Sequence, residues 1–248
     1  MSKMKLVLDR KVFNIVPKSE EQKSFIQSIE ENQITIVYGK AGTGKTMIST
    51  MWGFNAFAGG KYEILVFTRP CVEANGEKLG HLPGDVLSKI SVYMTPIMDI
   101  LETGVEKEYI DRLVKANDIK QVPFAFLRGI SFHQSFILAD EVENATKEQI
   151  RLLITRIGNN SKMVLTGDPY QSDIGYNNGL VDAIDRLKGI KGIGIVELTK
   201  LSIFRNPIIA EVENRYEKEY KKVLSVKNSS IGYNKIPISG EIADVIAS

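Results

Sequence analysis

Eight residues, Gly39-Lys40-Ala41-Gly42-Thr43-Gly44-Lys45-Thr46, restrict the fold more than any other stretch of this chain. They match the pattern G-x-x-x-x-G-K-[ST] and stand between an apolar run at 34–38 and a helical segment, the strand–loop–helix setting the pattern needs. Glycines permit a tight bend whose backbone N–H groups point inward, and the following helix adds the positive end of its dipole. Such a bend cradles phosphate. Gly39, Lys40, Ala41, Gly42, Thr43, Gly44, Lys45, Thr46 and the next residue, Met47, are therefore the candidate nucleotide ligands. Lys45 is expected on the β and γ phosphates and the Thr46 hydroxyl on magnesium, which makes ATP and Mg2+ the expected cofactors.

Strand-like apolar runs recur at 34–38, 64–68, 136–139, 163–166 and 193–198, alternating with helical segments. That order predicts an α/β fold with a mostly parallel sheet covered by helices on both faces. Ser19 with Gln22 three residues later is a capping-box signature, and Phe25, Ile26 and Ile29 continue at helical spacing, so a helix is expected over about 19–30. Ile150, Leu153, Ile154 and Ile157 place one apolar stripe on a helix spanning 146–158, with Gly158 ending it. Asn206 and Pro207 should cap and open a further helix. The runs 6–8 and 12–16 flank a charged turn and are expected to pair as a small hairpin. The expected organisation is an extension over 1–17, one phosphate-loop domain over 18–224, and a tail over 225–248 that reads equally as a loose arm or an edge strand.

Composition closes other routes. No apolar run approaches the ~20 residues that span a bilayer, and the first ten residues lack a secretory signal, so a cytoplasmic protein is expected. One cysteine, Cys71, forbids an intrachain disulfide, and the two separated histidines, His81 and His133, leave no Cys/His zinc cluster. A net charge of +2 supplies no global field for nucleic acid, so partners must be argued from local sites.

A phosphate cradle needs a metal-binding carboxylate at the end of a buried strand, and the run at 136–139 ends in Asp140-Glu141. Asp140 is expected to hold magnesium through its water, and Glu141 to orient or deprotonate the attacking water. This acidic pair favours hydrolysis over group transfer. Thr166-Gly167-Asp168-Pro169-Tyr170-Gln171 closes the next strand, where carboxyl ends of parallel strands gather. Gln171 is the candidate sensor of the γ phosphate, with Asp168 and Asp173 in support.

With these motifs in place, the chain resembles the PhoH family of phosphate-starvation-associated ATPases, whose core is similar to the first RecA-like lobe of superfamily-one helicases. The resemblance covers roughly 19–216 and includes Thr68-Arg69-Pro70-Cys71-Val72-Glu73-Ala74, Gly76-Glu77-Lys78-Leu79-Gly80, Leu82-Pro83-Gly84-Asp85 and Leu153-Ile154-Thr155-Arg156-Ile157-Gly158. It implies a RecA-like P-loop NTPase fold, magnesium-dependent ATP hydrolysis, a homo-oligomeric ring with a hexamer favoured, and a role on RNA. It also implies that Gln22 reads the adenine edge; the capping box offers the other reading, a helix-cap residue. Three departures from the family pattern stand out: an extra residue in Glu73-Ala74-Asn75-Gly76-Glu77, a carboxylate at Glu143 where an amide is usual, and His81 in place of an aromatic.

One phosphate loop and too few residues for a second lobe mean that the other face of the site must come from elsewhere. An arginine from a neighbouring subunit is the economical source, with Arg156 and Arg205 as candidates and a surface salt bridge as the alternative for each. Two functions from different classes result. In the first, an oligomeric ATPase acts on RNA or another single strand as a helicase or translocase; the loop from Thr68 to Lys78 meets the strand, with Arg69 and Lys78 on its phosphates, unless it builds a subunit interface instead. In the second, ATP orders a scaffold or binding protein and hydrolysis is incidental.

Overall fold

The computed structural model describes residues 12–70, 86–175 and 178–199, with 86–91 described by backbone alone. All of them belong to one unit. In chain order the elements are α1 (Glu20–Glu31), β1 (Ile34–Gly39), α2 (Lys45–Ala58), β2 (Ile64–Thr68), α3 (Val86–Glu102), α4 (Lys107–Lys115), β3 (Ile119–Gln121), β4 (Ser135–Ala139), α5 (Lys147–Ile154), β5 (Lys162–Gly167), α6 (Gly179–Leu187) and β6 (Ile193–Leu198). The six strands form one sheet in the order β3-β2-β4-β5-β1-β6, and every pairing is parallel.

Side chains alternate across a strand, so a parallel sheet buried on both faces needs two cores. Val37, Leu65, Phe67, Phe136, Leu138 and Val164 enter one, together with Phe25 and Ile29 of α1, Ile48, Phe54 and Phe57 of α2, Met94 and Ile97 of α3, and Ile110 of α4. Ile36, Val66, Ile137, Met163 and Leu165 enter the other, under Ile150 and Leu153 of α5 and Leu180 and Ala183 of α6. Helices thus cover both faces, as the alternating pattern requires. Helix α2 lies especially close to β4: a Cβ on Gly53 would fall 2.2 Å from the Phe136 ring.

Ser19 caps α1 by accepting the Gln22 N–H, and Thr146 with Gln149 completes a capping box on α5. Helix α5 ends at Ile154, short of the expected Gly158. Ile157 leaves the helix to bridge Phe132, and the Gly158 N–H donates to the Phe132 carbonyl at 2.8 Å. Residues 12–16 form no strand. Phe13 is instead buried and latched by the Asn55 amide of α2, which accepts from the Phe13 N–H at 2.9 Å and donates to its carbonyl at 2.8 Å. The run 6–8, the helix at Asn206, the tail, Arg205, Lys78, Cys71 and His81 lie outside the described residues. No helix among the described residues is long and apolar enough to cross a membrane.

Candidate active site

Register assembles the site. Tyr38 pairs with Gly167, Gly39 with Leu198, and Thr68 with Ala139, so the residues that follow β1, β2, β4 and β5 all emerge at the carboxyl rim of the sheet. Those residues are the phosphate loop, Arg69, Asp140-Glu141 and Asp168.

The loop bends through Gly42 and Gly44, at φ 84° and 91°, and Gly44 forms the N-cap of α2 in the left-handed region that favours glycine. Gly39 has no room for a side chain, since a Cβ there would lie 2.0 Å from the Leu198 carbonyl oxygen. Lys45 is buried, and its Nζ donates to the carbonyls of Gly39 and Lys40, curling across the concave side of the bend. Gln22 braces the loop from α1: its amide nitrogen donates to the Thr43 carbonyl at 2.9 Å while its oxygen accepts from the Lys18 N–H at 2.8 Å. At 3% exposure Gln22 is no solvated cap, and one bond from each end of its amide holds the loop to the fold. Met47, on the first turn of α2, is exposed.

Thr46 Oγ1 donates to Asp140 Oδ1 at 2.8 Å, joining the loop to the acid strand. Thr166 at the end of β5 donates to the same oxygen, and Arg69 donates from Nε and Nη2 to Oδ2. Asp140 is therefore 2% exposed yet fully bonded. Glu141 is half-exposed and 3.4 Å from Arg69 Nη2. Its backbone sits at φ 55°, ψ 40°, a conformation that costs a side-chain-bearing residue about 1–2 kcal/mol and turns the carboxylate out at the rim. Partial burial pushes the Glu141 carboxyl above the ordinary range; Arg69 opposes this, and Asp140 and Asp173 add to it.

Asp168 accepts from the Tyr170 N–H at 3.1 Å and is also bonded to the backbone of Ala41, which places it against the phosphate loop. Burial raises its carboxyl, and those N–H groups and the charge of Lys45 work the other way. Gln171 is exposed on the same rim, its N–H bonded to the Asp168 carbonyl at 3.0 Å. Asp173 donates its N–H to Asn144 beyond the acid strand.

Two expected strand contacts move inward. Thr68 is fully buried at the end of β2, and Arg69, 7% exposed, spends its guanidinium on Asp140, Glu141 and the Tyr93 carbonyl, so neither lies on a surface for nucleic acid. Arg156 also changes place. It follows α5 at the amino rim of the strands, away from the phosphate loop, and donates to the carbonyls of Leu152 and Ile130 and to the Thr155 hydroxyl.

The hard oxygens of Thr46 and Asp140 suit magnesium, which takes one or two protein oxygens and completes its shell with phosphate and water. The sequence profile of the family described as "PhoH-like protein" matches residues 14–217. The chain belongs to that family. PhoH-like proteins of Bacillus subtilis (strain 168) and Mycobacterium tuberculosis (strain ATCC 25618 / H37Rv) are 35% identical over 204 residues and 38% identical over 212. These alignments cover 82% and 85% of this chain. They cover 64% and 60% of the relatives, so the chain spans less than two thirds of their length. Among solved structures, the large terminase of a thermophilic bacteriophage is similar at a TM-score of 0.45 and 13% identity, over 82% of this chain and 50% of that one.

Sequence reasoning missed three members of the PhoH-like site: Arg69 as the partner of Asp140, the Thr166 hydroxyl, and the burial of Glu143. Glu143 is 5% exposed behind the acid pair, with Oε2 lacking any hydrogen-bond partner. Burial raises its carboxyl to about 8, against N–H groups of its own residue and Asp168, with Glu141 and Asp140 pushing further up. The signal for Arg69 and Thr166 was positional, since each sits at or just past the end of an apolar strand of a parallel sheet.

Proposed function

We propose that this PhoH-like chain is a magnesium-dependent ATPase that hydrolyses ATP to ADP and phosphate. The observation that carries the reading is the 2.8 Å bond from Thr46 to Asp140, which brings phosphate loop and acid strand to one point. In this reading the loop N–H groups and Lys45 hold the triphosphate, and Thr46 and Asp140 hold the metal, whose role when bound is to neutralise charge on the β and γ phosphates. Glu141, turned outward by its backbone, takes the proton of the attacking water, and its raised affinity for protons suits a general base. Asp168 keeps the loop carrying Gln171 beside the cradle, where Gln171 faces the γ phosphate.

We further propose action on RNA or single-stranded nucleic acid as a cytoplasmic homo-oligomeric helicase or translocase. Its support is the sequence resemblance. The test is ATP turnover by the purified chain with and without Mg2+, poly(U) and single-stranded DNA, alongside mass in solution. Turnover should require Mg2+, rise with a polynucleotide, and fall by roughly 100-fold or more in Lys45→Ala. ATP-dependent assembly with turnover indifferent to any polynucleotide would favour the scaffold reading. No ATP uptake in calorimetry with Mg2+ present would refute the ATPase.

A further inference from the structure

Arg69 is bonded to Asp140, a task far from the strand contact expected of it. It leaves the end of β2 and is gripped at Nη1 by the Tyr93 carbonyl of α3 at 2.9 Å. Nε donates to Asp140 Oδ2 at 3.1 Å, Nη2 donates to the same oxygen, and Nη2 also stands 3.4 Å from Glu141 Oε1. The two oxygens of Asp140 are thus divided: Oδ2 belongs to Arg69, and Oδ1 faces Thr46 and Thr166. A guanidinium held through three nitrogens cannot swing away as a lysine could.

We propose that Arg69 is a positioning residue that sets the strength of the magnesium site by acting as a built-in competitor for the charge of Asp140, a role resting on the ATPase reading above. Two cations draw on one buried carboxylate. Arg69 keeps that carboxylate oriented, and its positive charge opposes the arriving metal. The metal is then bound firmly only together with the phosphates of a nucleotide, whose negative charge restores the balance. Arg69 also draws on Glu141, so a metal that takes more of Asp140 leaves more of the guanidinium for the neighbouring acid.

The experiment uses Arg69→Gln in the full chain. Without nucleotide, the variant should melt below the wild type, because a buried carboxylate has lost its charged partner. Saturating Mg2+ with ADP should then raise its melting temperature by more than it raises the wild type's. In a titration of Mg2+ at fixed fluorescent ADP analogue, half-saturation should come at roughly ten-fold lower Mg2+, the scale of one charge-assisted contact. An equal or smaller thermal shift together with an unchanged or higher half-saturating Mg2+ would overturn the proposal and leave Arg69 a simple strut. If Arg69→Gln does not fold, Arg69→Lys carries the titration: it keeps the charge and loses the fork, so half-saturation should stay within about two-fold of wild type. A ten-fold drop in that variant would overturn the charge argument. The pair Arg69→Gln and Asp140→Asn closes a double-mutant cycle, in which the stability cost of losing Arg69 should largely vanish once Asp140 is neutral; additive costs would speak against the coupling. Failure of wild-type protein to bind Mg2+ with ADP would instead strike the ATPase reading, so the two failures are distinguishable.

Discussion

Replacing Glu143 with glutamine should stabilise the protein, and by an amount that grows with pH. Burial lifts this carboxyl from the ordinary 4.5 to about 8, so the folded chain keeps a proton that the unfolded chain releases. Below pH 4.5 both states carry the proton and nothing is lost; as pH rises toward 8 the unfolded state is increasingly favoured, and above 8 the cost is constant. Each pH unit in that window is worth about 1.4 kcal/mol, which gives a ceiling of about 3 kcal/mol at pH 7 and under about 1 kcal/mol at pH 5. A glutamine in this position would have nearly the same shape and no charge to desolvate. For a chain of this size the ceiling corresponds to a melting temperature roughly 6–12 °C higher at pH 7. Thermal unfolding of both proteins at pH 5, 6, 7 and 8 reads the result directly, and taking the difference removes the contribution of Asp168, whose carboxyl shifts in the same direction. A gap between variant and wild type that does not widen from pH 5 to pH 8 would refute the reasoning.

Gln22→Ala should weaken ATP binding about 5- to 20-fold by freeing the Thr43 carbonyl and slackening the loop, at a stability cost of about 1–2 kcal/mol; equilibrium binding of a fluorescent nucleotide measures it. Gly53→Val should lower the melting temperature markedly, since the new Cβ meets the Phe136 ring, and overpacking of this kind costs about 1–3 kcal/mol or more. Asn55→Ala should cost about 1–3 kcal/mol through the two Phe13 backbone groups it leaves unmet, and hydrogen exchange at the Phe13 amide should speed up. Thr166→Val should leave the fold intact and reduce turnover more than nucleotide affinity, because it removes one of the bonds that aim Asp140; steady-state kinetics separate the two.

The strands were legible where apolar runs were long enough to cross a sheet buried on both faces. Those at 64–68 and 193–198 match to the residue. Strand β3 was not legible, because Ile119-Lys120-Gln121 is three residues long, two of them polar, and takes its conformation from pairing with β2. Ile157 misled for a related reason: its spacing suits a helical stripe and equally suits the bridge to Phe132, and only the tertiary partner decides. The phosphate loop and the acid pair could be read because backbone geometry and metal chemistry demand those residue types at those places. Glu143 could not, and Arg69 was legible by position but not by partner, since a charged side chain in a sequence reads as solvated until the partner or the enclosing wall is seen.

The amino rim of the sheet offers an opening of a practical kind. Lys191, on the turn into β6 between the left-handed Gly189 and Gly192, is exposed. A dye or short tag attached there, at the far end of β6 from Gly39, would travel with the sheet without obstructing the loop around Lys45. It would give an observer a fixed reference against which movements of the opposite rim can be timed during turnover.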